Sequence, residues 1–225
     1  MVALALALTA AGAGSPGPCR ASEDPRSGFF VAAGGQSLAY RGDLDGRLEL
    51  WHFDLVFRIP NLQNRLAAAL GFGIVRPTWM WEIDYLRSDA AATAGGRATT
   101  ALFQALQISG RSFFFKDWPV HPYFSLGIEV PWLAVTDGAE LYGTKLKASY
   151  VGLEGLLGAG AAARIGSSIV VHLGATWRAG GFFYASGEGK GRDIINLAEG
   201  YAGPRWDRWL RTTSLGLDAS LGFVF

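Results

Sequence analysis

The chain has 225 residues, half of them hydrophobic and only 17% charged, with 31 glycines and a formal net charge of +1. High hydrophobicity excludes a disordered chain, and the near-neutral balance leaves no electrostatic footprint for nucleic acid. A single cysteine, Cys19, excludes an intrachain disulfide framework and a cysteine-built zinc site.

Residues 1–21 read as a secretory signal peptide. An apolar run over 2–11 leads into Ala11-Gly12-Ala13, a small-residue site of the kind signal peptidases cut, and cleavage is expected within 13–21. The run lacks a preceding Lys or Arg, and it is well short of the ~20 residues a membrane-spanning helix needs. No later segment supplies such a stretch. Gly17-Pro18 before Cys19 is a poor context for lipid attachment. Residues 22–225 are expected to form one barrel domain.

After the presequence, alternating stretches recur. "GFFVAAGGQSLAY" (28–40) comes first, followed by "RLELWHFDLVFRI" (47–59), with Trp51, Phe53, Leu55, Phe57 and Ile59 opposite His52, Asp54 and Arg58. "LAAALGFGIV" (66–75) and "TWMWEIDYLR" (78–87) follow, the latter setting Trp79, Trp81, Ile83 and Tyr85 against Glu82 and Asp84. Next come "TTALFQALQIS", "PYFSLGIEVPW", "SYVGLEGLLGAG" and "SIVVHLGATWR". The chain closes on "TTSLGLDASLGFVF", where Leu215, Leu217, Ala219, Leu221, Phe223 and Phe225 alternate with small or polar residues. Period-2 alternation is the signature of strands with two unlike faces. Gly, Pro, Asn and Asp clusters punctuate the runs, and residues 192–197 read as a short helix inside a long loop. The fold class is all-β, an antiparallel up-and-down barrel.

A soluble barrel would show water a face rich in long polar side chains. Here the second face is mostly Gly, Ser, Thr and Ala with sparse charges, while the first carries bulky Leu, Val, Ile, Phe and Trp. That division suits a lipid-facing wall around a narrow interior. Aromatic clusters at 79–81, 113–118, 132, 177 and 182–184 fit interfacial girdles. A soluble periplasmic ligand-binding barrel is the competing architecture.

The signal-like N-terminus, the opening strand "GFFVAAGGQSLAY", the strand "HPYFSLGIEV" and the closing "LGLDASLGFVF" resemble those of the small outer-membrane β-barrel proteins of Gram-negative bacteria. The resemblance implies residence in the bacterial outer membrane as a monomer. It also implies that Leu221, Phe223 and Phe225 form the assembly signal read by the barrel-insertion machinery. Single-chain barrels of this kind have an even number of strands, so the nine runs imply eight strands, with ten as the alternative. Eight requires either 28–40 to be a non-spanning extension or one of the next runs to lie in the first outer loop. Residues 88–97, 136–147 and 187–211 are then outer loops, and 117–122 and 166–168 periplasmic turns.

By phase, the interior receives Glu82, Asp84, Glu129, Glu154, His172, Arg178 and Asp218, expected to pair in a salt-bridge and hydrogen-bond network because an isolated buried ion is too costly. An eight-stranded interior filled in this way is not an open pore. The main reading is a non-enzymatic barrel with a structural, envelope or surface-interaction role. The alternative is a lipid-modifying hydrolase using His172 with Glu154 or Asp218 as base and orienter, although no serine stands two residues from His172. His52 reads as structural and His121 as a solvated turn residue. Three scattered histidines give no metal-ligand spacing, so neither metal nor cofactor is expected. In "GPRWDRWLR", Arg205, Arg208 and Arg211 interleave with Trp206 and Trp209. Guanidinium forks match phosphate and Trp favours the headgroup zone, which makes this patch a candidate contact for lipopolysaccharide.

Overall fold

A computed structural model of the chain describes residues 27–44, 46–47, 49–52, 55–62, 65–115, 118–166, 168–189, 191–195 and 210–225. The expectations for the presequence, its cleavage and Cys19 lie outside these residues. The elements are β1 (Gly28–Gly42), β2 (Glu49–His52), β3 (Leu55–Arg58), β4 (Arg65–Val75), β5 (Trp79–Ala94), β6 (Arg97–Phe113), β7 (Val120–Leu141), β8 (Thr144–Ile165), β9 (Ile169–Gly189), β10 (Gly191–Ile195) and β11 (Leu210–Val224).

Eight of these strands close a ring in the order β1-β4-β5-β6-β7-β8-β9-β11 and back to β1, each antiparallel to its neighbours. Closure is made by β1 and β11: Phe30 stands opposite Val224 and Ala39 opposite Leu215, and the Phe225 amide donates to the Phe29 carbonyl at 2.9 Å. Both ends of the ring therefore sit at one rim, the inner one. The opposite, outer rim carries two tight turns, Gly95-Gly96 and Tyr142-Gly143, with positive φ at all four residues. Paired positive φ values match the right-handed twist of the flanking strands.

Eight strands, not ten, make the wall, and the run 47–59 is not one of them. It folds back as the short hairpin β2–β3 within the connection from β1 to β4, and β3 pairs with the outer end of β7 through Leu55↔Leu141 and Phe57↔Ala139. The outer loops expected at 88–97 and 136–147 are strand instead: β5–β6 and β7–β8 continue as ladders to two-residue turns. Residues 191–195 are likewise strand rather than helix, paired back onto β9.

Outward faces carry the bulky apolar side chains around the ring, among them Val31, Leu66, Phe72, Trp81, Leu126, Ile128, Trp177, Leu217 and Phe223. On β7 this belt runs from Val120 to Trp132 and gives way above to Thr136 and Asp137, a height in keeping with the ~25 Å apolar band of a transmembrane barrel. Trp79, Phe114, Phe115 and Trp118 are exposed at the inner rim. Phe182, by contrast, points inward and is fully buried, in phase with His172, Thr176 and Arg178 on the same strand; a ladder irregularity follows it, with Gly152 opposite Phe182 and Val151 opposite Tyr184.

The interior is stacked in three layers, visible along β6 alone: Ala101, Phe103 and Ala105, then Gln107, Ser109 and Arg111, then Phe113. The sequence led us to expect a small and polar inward face throughout. In the outer third it is apolar instead, because the β1–β4 connection is tucked into the mouth. Leu44, Leu55, Phe57, Ile59 and Leu62 pack there against Leu38, Tyr40, Phe103, Tyr150 and Phe182 in one buried cluster. Backbone hydrogen bonds tie this segment to the wall: Asn61 N to Thr93 O at 2.8 Å and Gly95 N to Gly46 O at 3.1 Å. The Arg65 guanidinium, at the start of β4, donates to the Asn61 carbonyl of the segment at 3.5 Å and to the Ala101 carbonyl of β6 at 3.1 Å.

Leu217 lies midway along the outward face of β11 and is 67% exposed. Leu217→Arg is expected to weaken folding into lipid vesicles by about 2–4 kcal/mol, the cost of a cation near the bilayer centre, as read by urea titration. A change within ~0.5 kcal/mol, ordinary for a surface in water, would refute the lipid-facing wall.

Candidate functional site: the polar layer inside the barrel

Between the apolar outer layer and an aromatic inner layer, seven strands contribute inward polar groups at one height. All seven residues expected inside are there: Glu82, Asp84, Glu129, Glu154, His172 and Arg178 are buried and Asp218 is half-buried. They form two clusters.

In the first, the Arg111 guanidinium joins β5, β6 and β9. Its Nη2 pairs with Glu82 Oε2 at 2.7 Å, its Nη1 stands 2.7 Å from His172 Nδ1, and its central carbon lies 5.3 Å from the centre of the Tyr123 ring. Because a guanidinium only donates, His172 Nδ1 accepts and the ring proton sits on Nε2. Asp218 accepts from Thr176 Oγ1 at 3.0 Å and from Tyr123 OH at 3.5 Å. Asp84 turns toward Glu82 across Gly71, where any Cβ would collide with Asp84 Oδ1 and crowd Glu82 Oε1.

In the second cluster, Glu129 and Glu154 stand opposite each other on β7 and β8. Like charges so placed repel, and three groups offset them. Arg178 Nε pairs with Glu129 Oε2 at 3.2 Å with both side chains fully buried. Glu154 accepts from Thr212 Oγ1 at 2.6 Å and from Tyr40 OH at 3.3 Å. Gly216 leaves room for the guanidinium, since a Cβ there would stand 3.0 Å from Arg178 Nη1.

The hydrolase candidates are not brought together as a relay. His172 bonds Arg111 and lies 3.4 Å from Ser220 Oγ, while Glu154 and Asp218 are held by hydroxyl groups. Sequence reading missed Arg111, Tyr40 and Tyr123. The available signal was phase: Arg111 continues the inward alternation of Gln107 and Ser109 beyond the end of the quoted run. His121 belongs to β7 and is half-buried with its ring 6.4 Å from that of Phe113, so it is not a solvated turn residue. His52 has its backbone placed in β2. Arg205, Trp206, Arg208 and Trp209 lie outside the described residues. Arg211 is exposed at the outer start of β11, its backbone amide donating to Asp43 Oδ2 at 2.8 Å. Leu221, Phe223 and Phe225 are exposed on the outward face at the inner rim. No group of three metal-ligating side chains occurs among the described residues.

At the outer rim a third set of charges fastens the tucked segment. Arg58, on β3, pairs through Nη2 with Glu140 Oε2 at 2.6 Å and through Nε with Glu49 Oε1 at 3.3 Å, and Arg97 reaches the same Glu140 oxygen at 3.1 Å. Glu140 lies beyond the apolar belt. The hydrogen bond from Arg58, with smaller contributions from the charge of both arginines, holds its carboxyl below the usual carboxylate range.

A closed antiparallel ring with an apolar belt outside and paired charges within leaves one class of solved structure to compare. Neisserial surface protein A (NspA) superposes with a TM-score of 0.53 at 14% identity, covering 89% of this chain and 99% of that one. The outer membrane protein OprG from Pseudomonas aeruginosa gives 0.51 at 12% identity, over 91% of this chain and 98% of that one. The fold is that of an outer-membrane β-barrel. No protein-family model matches the chain, and no curated protein does. At these identities the likeness is one of architecture, and the interior clusters are argued from this chain's own residues.

Two outcomes follow. Arg178→Met strands Glu129 in the interior and is expected to cost about 3–5 kcal/mol in urea unfolding, whereas Arg178→Met combined with Glu129→Gln recovers most of that loss. At the rim, a carboxyl whose folded pKa is depressed stabilises fully above its unfolded value, near 4.3, and that stabilisation disappears as pH falls through the lower folded value. Pepsin cleavage within 44–62 is therefore expected to accelerate in that acid window, and Glu140→Gln to speed tryptic cleavage there about 2- to 5-fold at neutral pH.

Proposed function

We propose that this protein is a non-enzymatic barrel of the bacterial outer membrane whose interior is closed to solutes, and that it acts through its outer surface and its place in the envelope. The tucked 44–62 segment carries this reading. Phe57, Ile59 and Leu62 fill the mouth above a layer of interlocked charges, so the ring supplies a rigid wall and not a water-filled conduit. The engagement of His172 by Arg111 supports a structural and not a catalytic interior. The outer extensions of β5–β9 are what the protein presents to the exterior. In the sequence that runs into β11, Arg205, Arg208 and Arg211 with Trp206 and Trp209 supply forks for lipopolysaccharide phosphates and headgroup-seeking indoles. Leu221, Phe223 and Phe225 serve as the address for the barrel-insertion machinery, and the complete ring of pairing favours a monomer.

The test is electrical. Purified protein inserted into planar bilayers is expected to give no resolvable conductance steps, and liposomes carrying it no sugar-driven swelling beyond lipid alone. Stable conductance from the folded, heat-modifiable form would overturn the closed interior.

A further inference from the structure

The first interior cluster does not balance its charge, and its shortage is one-sided. Glu82, Asp84 and Asp218 each line a cavity of about 30 Å³, room for one or two water-sized species. Arg111 is the guanidinium lining it, already engaged by Glu82 and His172. Even with one proton held between the facing Glu82 and Asp84 carboxyls, one negative charge is left over. Asp218 carries it while accepting only from the neutral hydroxyls of Thr176 and Tyr123.

A second, independent feature points the same way. Gln36, Gln107 and Ser109 are each more than nine-tenths buried and line the same cavity, and their Oε1, Oε1 and Oγ atoms have no hydrogen-bond partner. All three are oxygens able to accept. His172 Nε2, an unpartnered donor of the same cluster, does not line the cavity; in the second cluster the unpartnered atoms include both acceptor and donors, Glu129 Oε1 with Arg178 Nη1 and Nη2, a mixture that bridging water satisfies. A pocket of oxygens bearing one excess negative charge asks for a cation. The absence of any three-carboxylate or histidine ligand group among the described residues argues against a divalent ion, whose sites draw on several carboxylates. Amide, hydroxyl and carboxylate oxygens in a water-sized space suit a single charge.

We propose that the cavity bounded by Glu82, Asp84, Gln107, Ser109, Asp218 and Gln36 binds one monovalent alkali cation inside the barrel wall. The ion neutralises the surplus carboxylate and satisfies the three orphaned oxygens. It acts as a structural ion that fixes β1, β5, β6 and β11 at mid-height, and its presence does not depend on the role proposed for the outer surface.

The experiment uses the full-length folded barrel in detergent, unfolded by heat at constant ionic strength in sodium, potassium or choline chloride. Choline is a monovalent cation too large for the space. Replacing choline with sodium or potassium at ten times the half-saturating concentration is expected to raise the midpoint by about 3–6 °C. Gln107→Met, which keeps volume but removes an acceptor, and Asp218→Asn, which removes the surplus charge, should each abolish most of that difference. Arg97→Ala, remote from the cavity, should retain it. Equal midpoints in all three salts for the wild-type protein would overturn the proposal whatever the variants do, and so would an alkali-specific rise that persists undiminished in folded Gln107→Met and Asp218→Asn. Because the comparison is between salts and not between open and closed interiors, its failure leaves the conductance result standing.

Discussion

Hydrocarbon offers backbone amides no hydrogen-bond partner, and every other feature of this protein follows from that. A strand crossing the membrane must find a neighbour on both edges, so the ladder has to return on itself, with Phe30 beside Val224 and the chain's last amide on Phe29. Once the ring closes, the two faces of each strand meet different surroundings. Bulky side chains that a soluble protein would bury are turned to lipid, and the interior must be stabilised by whatever the alternate positions supply.

Those positions solve the problem differently at different heights. In the outer third they bury apolar surface, but only because the β1–β4 connection delivers Leu44, Phe57, Ile59 and Leu62 into the mouth. At mid-height, strands are held by the buried pairs Arg111–Glu82 and Arg178–Glu129, while the neighbouring Glu154 is held by the hydroxyls of Thr212 and Tyr40. At the inner end, Phe113, Tyr123 and His172 close the layer with ring contacts. Charged pairs are directional where apolar contacts are not, so the middle layer is where strand register is most strictly specified.

Much of this was legible in the residues. Period-2 alternation in "TTSLGLDASLGFVF" placed Leu215 to Phe223 outside and Asp218 inside, and the same phase argument placed Glu82, Glu129, Glu154 and Arg178 in the interior. It failed where local pattern and tertiary destination part. "RLELWHFDLVFRI" alternates as well as any spanning strand, yet turns back after His52, because an amphipathic hairpin lying on a wall and a strand crossing a bilayer share one periodicity. Phe182 was read as an interfacial aromatic because it was grouped with the adjacent Phe183 and Tyr184, although counting by twos from His172 and Arg178 sets it inside. Pairing partners were also beyond reach: alternation gives the face of Arg111 but not that Glu82 and His172 will meet it from two other strands.

The origin of the tucked segment also dictates an order of events. Leu44 to Leu62 are made early, just after β1, yet three of the residues in their cluster, Phe182, Ala185 and Leu210, belong to the last strands to emerge. Contacts so distant along the chain are slow to form, and these have no chamber to enter until β11 meets β1. For the whole interval between translocation and ring closure, Phe57, Ile59 and Leu62 must travel uncovered. The stretch that finally seals the mouth is therefore the one most in need of an escort on the way to the membrane.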